Sequence, residues 1–286
     1  MTCKWFGVGA FVVVAAGSTT ALESVFYGVN TNGVVSRFDM SAHTVTPLAS
    51  IHAGPTTPTG FQDLEFDSAG NLYALRAYTD FNTFQSFNEI YRVTNPTTGN
   101  ALLSGTIGSG GMPFQSLAYR SSNSSFYSVN AINGHVSTLE TNGAFSPVSG
   151  VAHGPRNLVH AMAINPVDGV AYSLLDMGIA IFGTIDVTLF RTDLATGLST
   201  AVGSLGVTTD AFTALRIDEN GIAYTVSNFG GDIYTVNLNT GAASFLFAGG
   251  VAAKNTNGLA LIAVPSPAGL GALLAGVGLV ATRRRR

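Results

Sequence analysis

The chain has 286 residues, of which only 10% are charged, and its formal net charge is −3 at pH 7. Five of its thirteen basic residues, Lys4 and Arg283 to Arg286, lie at the two ends. The rest of the chain therefore has a net charge of about −8, which excludes a basic patch for nucleic acid. The single cysteine, Cys3, also lies near the N-terminus, so the remainder cannot form a disulfide or a thiolate metal site.

Residues 1–21 have the pattern of a secretory signal peptide. Lys4 supplies a short basic region, residues 5–17 are apolar, and residues 18–21 are small, as a cleavage site requires. We predict cleavage after Ala21, with Gly17 as the alternative. The pattern predicts export of a mature domain that spans residues 22–264.

The mature domain repeats one kind of hairpin. Each copy has a first strand, a tight turn, and a second strand that carries an aromatic residue. The copies are residues 63–75, 116–129, 161–174 and 214–226. Gly70, Gly169 and Gly221 supply the positive φ that such turns need. A second hairpin follows each first one, at residues 90–102, 136–145, 189–201 and 233–245.

Two hairpins make a four-stranded unit, and successive units begin about 45 to 53 residues apart. This period is typical of β-propeller blades. One predicted unit lacks its first strand and consists of residues 24–29, 34–39 and 44–48. Residues 257–264 form a first strand with no later strands after it. The sequence therefore predicts an all-β fold: a five-bladed propeller of four-stranded antiparallel blades, closed by a composite blade from both termini. Short hydrophobic helices are predicted at the two ends of the chain.

The core pattern Leu64-x-Phe66-Asp67-x-x-Gly70-x-Leu72-Tyr73 is accompanied by Thr-Gly hairpin turns at Thr98-Gly99, Thr196-Gly197 and Thr240-Gly241. This combination resembles the propeller-type repeats of various secreted bacterial proteins. The resemblance implies the fold alone, because propellers serve as enzymes, binding modules and scaffolds. We interpret the aligned aromatic residues and leucines as core between blades rather than as a cofactor site.

Three acidic residues are candidates for a calcium site. Asp63, Glu65 and Asp67 alternate along one predicted strand, which would place them on one face, and hard cations bind clustered oxygen ligands. Asp67 is also explained as a turn residue, because it matches Asn165 and Asp218 in other copies. Asp63 and Glu65 have no acidic counterparts, so a metal role rests mainly on them; no other cofactor is predicted.

Two histidines, His153 and His160, flank a loop near the start of one unit and could meet at a central channel; ordinary loop and strand-edge roles also explain them. The sequence contains no Gly-x-Ser-x-Gly motif and no phosphate-binding glycine loop. The predicted innermost strands are mostly apolar, which argues against a catalytic site there. Paired carboxylates for glycoside hydrolysis stay open as an alternative.

The C-terminal 22 residues form a three-part tail. Pro265, Ser266 and Pro267 precede an apolar run at residues 268–282, which is shorter than the roughly 20 residues that span a bilayer, and Arg283, Arg284, Arg285 and Arg286 follow. This pattern resembles the PEP-CTERM sorting signal, although Ser266 stands where that signal usually has Glu. The resemblance implies recognition by an exosortase-type enzyme in bacteria that make extracellular polysaccharide. An ordinary tail anchor is the alternative.

Together these patterns predict an exported, non-catalytic protein of the cell surface or extracellular matrix, transiently anchored in the membrane by its tail. Its propeller is expected to bind extracellular polysaccharide or a surface protein. The alternative is a secreted enzyme that acts on carbohydrate or a lactone at the mouth of the channel. A purely structural protein without a specific ligand is a third possibility.

Overall fold

The computed structural model describes residues 24–80, 85–108, 113–131, 134–148, 158–176, 186–207 and 210–262. They belong to one compact unit, Ser24–Pro265. The predicted signal peptide, the tail motif from Pro265 to Arg286 and the terminal helices lie outside the described residues. Within the ranges given, no helix is both long and apolar enough to cross a membrane.

The described residues form β-strands and one short 3₁₀ helix, Gly250–Ala253. The strands are β1 (Val25–Asn30), β2 (Val34–Asp39), β3 (Thr44–Ser50), β4 (Phe61–Phe66), β5 (Leu72–Asp80), β6 (Gln85–Asn95), β7 (Asn100–Gly108), β8 (Ala118–Arg120), β9 (Ser125–Val129), β10 (Val136–Leu139), β11 (Phe145–Pro147), β12 (Leu158–Ile164), β13 (Ala171–Asp176), β14 (Val187–Thr192), β15 (Ser199–Ser204), β16 (Phe212–Ile217), β17 (Ala223–Ser227), β18 (Asp232–Val236), β19 (Ala243–Ala248) and β20 (Thr256–Leu261).

The strands form five four-stranded antiparallel sheets, which are the blades of a propeller. Blade 1 is composite: β20 pairs with β1 and is followed by β2 and β3, so the last strand completes the first blade. Blades 2 to 5 take β4–β7, β8–β11, β12–β15 and β16–β19 in order. The five-bladed propeller and its composite closure, both predicted from the sequence, are confirmed.

The turns follow from local backbone requirements. Gly70, Gly169 and Gly221 adopt φ values of 78°, 72° and 80°, as the repeat predicted. The turns that link the first to the second strand, and the third to the fourth, all lie at one end of the propeller, because strands run antiparallel within each blade. We call this end the turn end.

The hydrophobic core consists of five clusters, each at the seam between neighbouring blades. Every innermost strand, or the residue beside it, contributes one fully buried apolar side chain: Leu64, Leu117, Met162, Leu215 and Leu259. Because side chains alternate along a strand, the residue after each of these positions faces the other side of the blade: Ala118, Ala163 and Ala260 pack in the cluster at the other seam. The repeated leucines therefore join blades, as the sequence indicated.

Several innermost strands begin with a β-bulge at the end opposite the turn end. The extra residues are Gln62, His160, Thr213 and Asn257. Two of them link neighbouring blades: the Thr213 hydroxyl donates to the Thr256 carbonyl at 2.7 Å, and the Asn257 amide donates to the Phe61 carbonyl at 2.8 Å. Neutral polar groups therefore connect blades at this end.

Candidate functional site

One position of the innermost strand can be compared directly in all five blades, because the residue paired with it is always tyrosine. The pairs are Ala260 with Tyr27, Glu65 with Tyr73, Ala118 with Tyr127, Ala163 with Tyr172, and Arg216 with Tyr224. Three blades place alanine there and two place opposite charges. The three alanines are buried in clusters between blades, whereas the two charged side chains reach each other.

Glu65 and Arg216 form an ion pair. They belong to blades 2 and 5, which are not neighbours, since blade 1 lies between them. The Glu65 carboxylate also accepts the Phe66 N–H at 2.8 Å and the Tyr119 N–H of blade 3 at 3.1 Å. Burial raises the pKa of Glu65, and the Arg216 guanidinium opposes that rise.

Asp63 lies deeper on the same strand and is 5% exposed. Its two carboxylate oxygens accept the Leu64 N–H at 2.8 Å and the Leu117 N–H of blade 3 at 2.7 Å. A Cβ at Gly258 of blade 1 would overlap the Asp63 carboxylate and its Cα, so the backbones of β20 and β4 approach closely here. Burial raises the pKa of Asp63 well above its usual range, against the Leu117 N–H bond and the charge of Arg216.

Asp67 follows β4 and is a turn residue, not a third member of the strand row. Its Oδ1 accepts the Ala69 and Asn71 N–H groups at 2.9 and 2.8 Å. Asp218 accepts two N–H groups of its own turn in the same way. The turn interpretation of Asp67 is confirmed, and the expectation that Asp63, Glu65 and Asp67 share one strand face is wrong for Asp67, because β4 ends at Phe66.

The calcium hypothesis finds no ligand cluster. In the ranges that the structure covers, no three His, Cys, Asp or Glu side chains lie close enough to hold a metal ion. Asp63 and Glu65 instead use their oxygens to accept N–H bonds from the edge of blade 3. Their role in the described structure is to join two blades.

His160 is the extra residue of the bulge in β12. Its Nε2 lies 3.9 Å from an Asp176 carboxylate oxygen. Burial lowers the pKa of His160, and the charge of Asp176 opposes that change. His153 lies outside the described residues, so the predicted approach of the two histidines stays a prediction.

Two adjoining cavities open at the turn end. The first, of about 480 Å³, lies at the mouth of the channel and is lined by Glu65, Arg216, Tyr119 and Arg120 among others. The second, of about 1000 Å³, lies beside it over blades 4 and 5, and we call it the blade-4 cavity. Arg120 lines both cavities, so one guanidinium stands at their junction.

The blade-4 cavity combines charges of both signs. Its lining includes Arg120, Arg191, Asp168, Asp193 and Tyr172. Burial raises the pKa of Tyr172, and the charge of Asp168 adds to this rise while Arg191 opposes it. A hydrogen bond from the Ala195 N–H lowers the pKa of Asp193, with contributions from Thr196 and from the charge of Arg120.

Arg120 and Arg216 were not among the site residues predicted from the sequence. Arg216 meets Glu65 only when the ring of blades closes, and the two residues are 151 positions apart. Aligning the repeats on the tyrosine of the second strand would have revealed the pair, since Glu65 and Arg216 then occupy the same position. No comparable sequence signal marks Arg120, because it ends the short strand β8 in a blade whose following turn lacks glycine.

Comparison with known proteins supports the fold alone. No family model and no curated protein matches the chain. Among solved structures, a chain of a nidogen/laminin complex is similar, with 9% sequence identity and a TM-score of 0.51. The match spans 83% of this chain and 98% of that chain. A protein from Lactobacillus plantarum is 18% identical with a TM-score of 0.42, and the match spans 79% of this chain and 66% of that one.

A virginiamycin B lyase from Staphylococcus aureus is also similar, at 10% identity and a TM-score of 0.45, over 79% of this chain and 70% of that one. At 9% identity, the likeness to the nidogen/laminin chain shows the fold alone.

Proposed function

We propose that the chain is an exported, non-catalytic protein of the cell surface or extracellular matrix. Its propeller is a platform that binds a glycan or another protein. The C-terminal tail, from Pro265 to Arg286, is recognised by an exosortase-type enzyme and holds the protein at the membrane before processing. The signal-peptide pattern and the three-part tail of the sequence support this proposal.

The observation that carries the non-catalytic role is the use of the two acids on the innermost strands. Asp63 and Glu65 are 5% and 2% exposed, and all four carboxylate oxygens accept backbone N–H bonds or face the Arg216 guanidinium. A general acid or nucleophile must reach the substrate with a free atom. These carboxylates are committed to holding blade 2 against blade 3.

The turn end suits a platform because its turns are fixed by their own side chains. Asp67, Asn165 and Asp218 each accept N–H bonds within their turns. Rigid turns lower the conformational entropy that is lost when a partner binds. The cavities at this end then offer a preformed surface to a glycan or protein.

Binding of the full-length protein, purified in mild detergent, to the extracellular polysaccharide of the producing organism tests the platform. Saturable binding with and without calcium is the expected result, since no described acidic cluster holds a cation. Binding only in the presence of calcium would require a metal site that the proposal does not contain. Absence of any binding would remove the glycan half of the proposal and direct the search to surface proteins.

The tail is tested separately in the producing organism. Replacing Arg283 to Arg286 with serine should leave unprocessed protein, because the basic end that holds the tail at the cytoplasmic side is lost. A matched chain with Arg37→Gln, in the propeller, should be processed normally. Normal processing of both variants would show that the tail is no sorting signal.

A secreted enzyme that acts on carbohydrate or a lactone is the second candidate. The cavity at the channel mouth favours it, because that cavity places Glu65, whose pKa is raised by burial, beside Arg216 and Tyr119. A carboxyl group with a raised pKa is suited to act as a general acid. Hydrolysis of glycosides or lactones by the wild-type chain, lost in Glu65→Gln, would establish this function and end the non-catalytic proposal.

A further inference from the structure

The blade-4 cavity has the size and polarity of a site for a soluble ligand. Its volume is about 1000 Å³, at the upper end of the roughly 300 to 1000 Å³ found for small-molecule sites. Most of its lining comes from the turn after β12, the turn after β14, and the strands β13 to β15 of blade 4. Arg120 of blade 3 and the residues Leu238 and Asn239 of blade 5 complete it, so the cavity lies where blade 4 meets its two neighbours.

The two arginines of this cavity have unused donors. Each guanidinium offers five N–H groups, and neither Arg120 nor Arg191 donates a hydrogen bond to another described residue. The Nε of Arg120 is also shielded from solvent without a hydrogen-bond partner in the described part of the chain. The donors that a ligand can reach are therefore those on the accessible part of each guanidinium, and they form charge-assisted hydrogen bonds with an anionic acceptor.

Three of the four carboxylate oxygens of the two nearby acids accept hydrogen bonds. Asp193 accepts the Ala195 N–H and the Thr196 hydroxyl, both at 2.9 Å, with its two oxygens. Asp168 accepts the Val170 N–H at 2.9 Å. The surplus hydrogen-bonding capacity of the cavity therefore consists mainly of cationic donors, which match a planar carboxylate in charge and geometry.

The remaining polar groups favour a sugar over a peptide as the carrier of that carboxylate. The lining includes Thr200, Asn239 and Tyr172, whose neutral hydroxyl and amide groups can form hydrogen bonds with sugar hydroxyls. Thr200 and Asn239 are exposed, so they line the open side of the cavity. A ligand with one carboxylate and several hydroxyls uses both parts of the lining.

We propose that the blade-4 cavity binds a uronic acid residue of an acidic polysaccharide. Arg120 and Arg191 donate hydrogen bonds to the carboxylate of this sugar. This inference rests on the glycan-binding platform proposed above and names its ligand class. The carboxylate-bearing sugar is held through charge-assisted hydrogen bonds, and the neutral polar groups orient its ring.

Calorimetric titration of the full-length protein with trigalacturonic acid tests this inference. Galactotriose is the neutral control of the same size, and triglutamate is the acidic peptide control. We expect trigalacturonic acid to bind at least about tenfold more tightly than either control, because charge-assisted hydrogen bonds are lost without a sugar carboxylate. Arg191→Gln and Arg120→Gln should each weaken trigalacturonic acid binding by roughly 10- to 100-fold.

Arg37→Gln is the matched control, since Arg37 lies on blade 1 and pairs with Asp39 outside the cavity. It should leave binding unchanged. Arg191 is exposed, so its variant keeps the test valid even if Arg120→Gln destabilises the fold. Circular dichroism of each variant checks that the propeller is intact.

Equal binding of galactotriose and trigalacturonic acid would overturn the uronate inference and leave the glycan platform standing. Preference for triglutamate would overturn the inference and replace the glycan with an acidic protein. No binding of any of the three would also overturn it, while the platform is judged independently from the whole-polysaccharide experiment. Unchanged affinity in both arginine variants would show that trigalacturonic acid binds elsewhere.

Discussion

The seam between blades 5 and 1 and the seam between blades 2 and 3 both contain an apolar cluster, yet they differ at the channel. Blades 5 and 1 meet through Ala214 and Leu259, with the neutral hydrogen bond from Thr213 to the Thr256 carbonyl. Blades 2 and 3 meet through the buried carboxylates of Asp63 and Glu65. At the channel, the first seam therefore depends on apolar burial and a neutral hydrogen bond, whereas the second also depends on buried acids.

The difference follows from the length of the strand that faces the acids. In blade 3 the innermost strand β8 has only three residues, and the N–H groups of Leu117 and Tyr119 are paired with carboxylates of blade 2. Those hydrogen bonds satisfy backbone donors that would otherwise be buried unpaired. Burial of these two acids costs desolvation free energy, and the charge of Arg216, across the channel, offsets part of that cost.

The largest effect is expected when that compensation is removed. Arg216→Met keeps the length of the side chain but leaves Glu65 and Asp63 buried without a cation. We expect the free energy of unfolding to fall by about 3–5 kcal/mol at pH 7, and by less at pH 5, where the acids take up protons more readily. Urea unfolding at both pH values measures this, and an equal loss at the two would contradict the role of Arg216.

A comparable change at the apolar seam should lack the pH dependence. Leu259 is fully buried in the cluster between blades 5 and 1. Leu259→Ala removes apolar contacts and leaves a cavity, with an expected loss of about 2–5 kcal/mol. Because no titrating group changes, the loss should be the same at pH 5 and pH 8, and a clear difference between the two would weaken the comparison of the seams.

The acids themselves should make stability fall as the pH rises. The pKa of Asp63 is higher in the folded chain than in the unfolded one, where it is about 3.9. The folded state therefore binds more protons, and this contribution is fully present below about pH 4 and is lost as the pH rises through the folded-state pKa. The free energy of unfolding, measured from pH 4.5 to 8.5, should therefore decline.

Asp63→Asn isolates that contribution. We expect a loss of about 1–3 kcal/mol at pH 5, since an amide nitrogen cannot accept the second N–H bond, and a smaller loss at pH 8. Subtracting the stability curve of the variant from that of the wild-type chain removes the contribution of His160, whose pH dependence has the opposite sign. Its pKa is lowered by burial, so its share is present above about pH 6.5 and lost below. A difference curve that grows with pH would contradict the assignment.

The smallest effect is expected at the end of the channel opposite the turns. Thr213→Val keeps the shape of the side chain and removes the hydroxyl that donates to the Thr256 carbonyl. The free energy of unfolding should fall by about 0.5–1.5 kcal/mol, without pH dependence. Thermal unfolding of the variant beside Leu259→Ala would show that burial, rather than this hydrogen bond, supplies most of the stability at the seam.

The blades could be predicted from the sequence because their signals are local. A turn that needs positive φ selects glycine within a few residues, as at Gly70 and Gly221, and the strands around it alternate. The composite blade was also predictable, since residues 257–264 formed a strand without partners. The role of Asp67 followed from its place in the turn.

The candidate site was predicted less well, because it depends on contacts between distant blades. The acids Asp63 and Glu65 were identified as unusual for the repeat, but the groups that pair with them are the N–H groups of β8 and Arg216. Those partners are defined only when the ring closes. The blade-4 cavity likewise forms from turns whose side chains carry no motif. The signal peptide and the tail stay predictions.

The pairing of β20 with β1 also sets the order in which the chain can finish folding. On the ribosome, β1 emerges near the start, whereas Thr256 appears roughly 230 residues later, which is about 10 to 50 s at ordinary translation rates. During that interval the inner edge of β1 has no partner and presents unpaired backbone groups. The nascent propeller therefore needs protection from other chains until its last strand has been made.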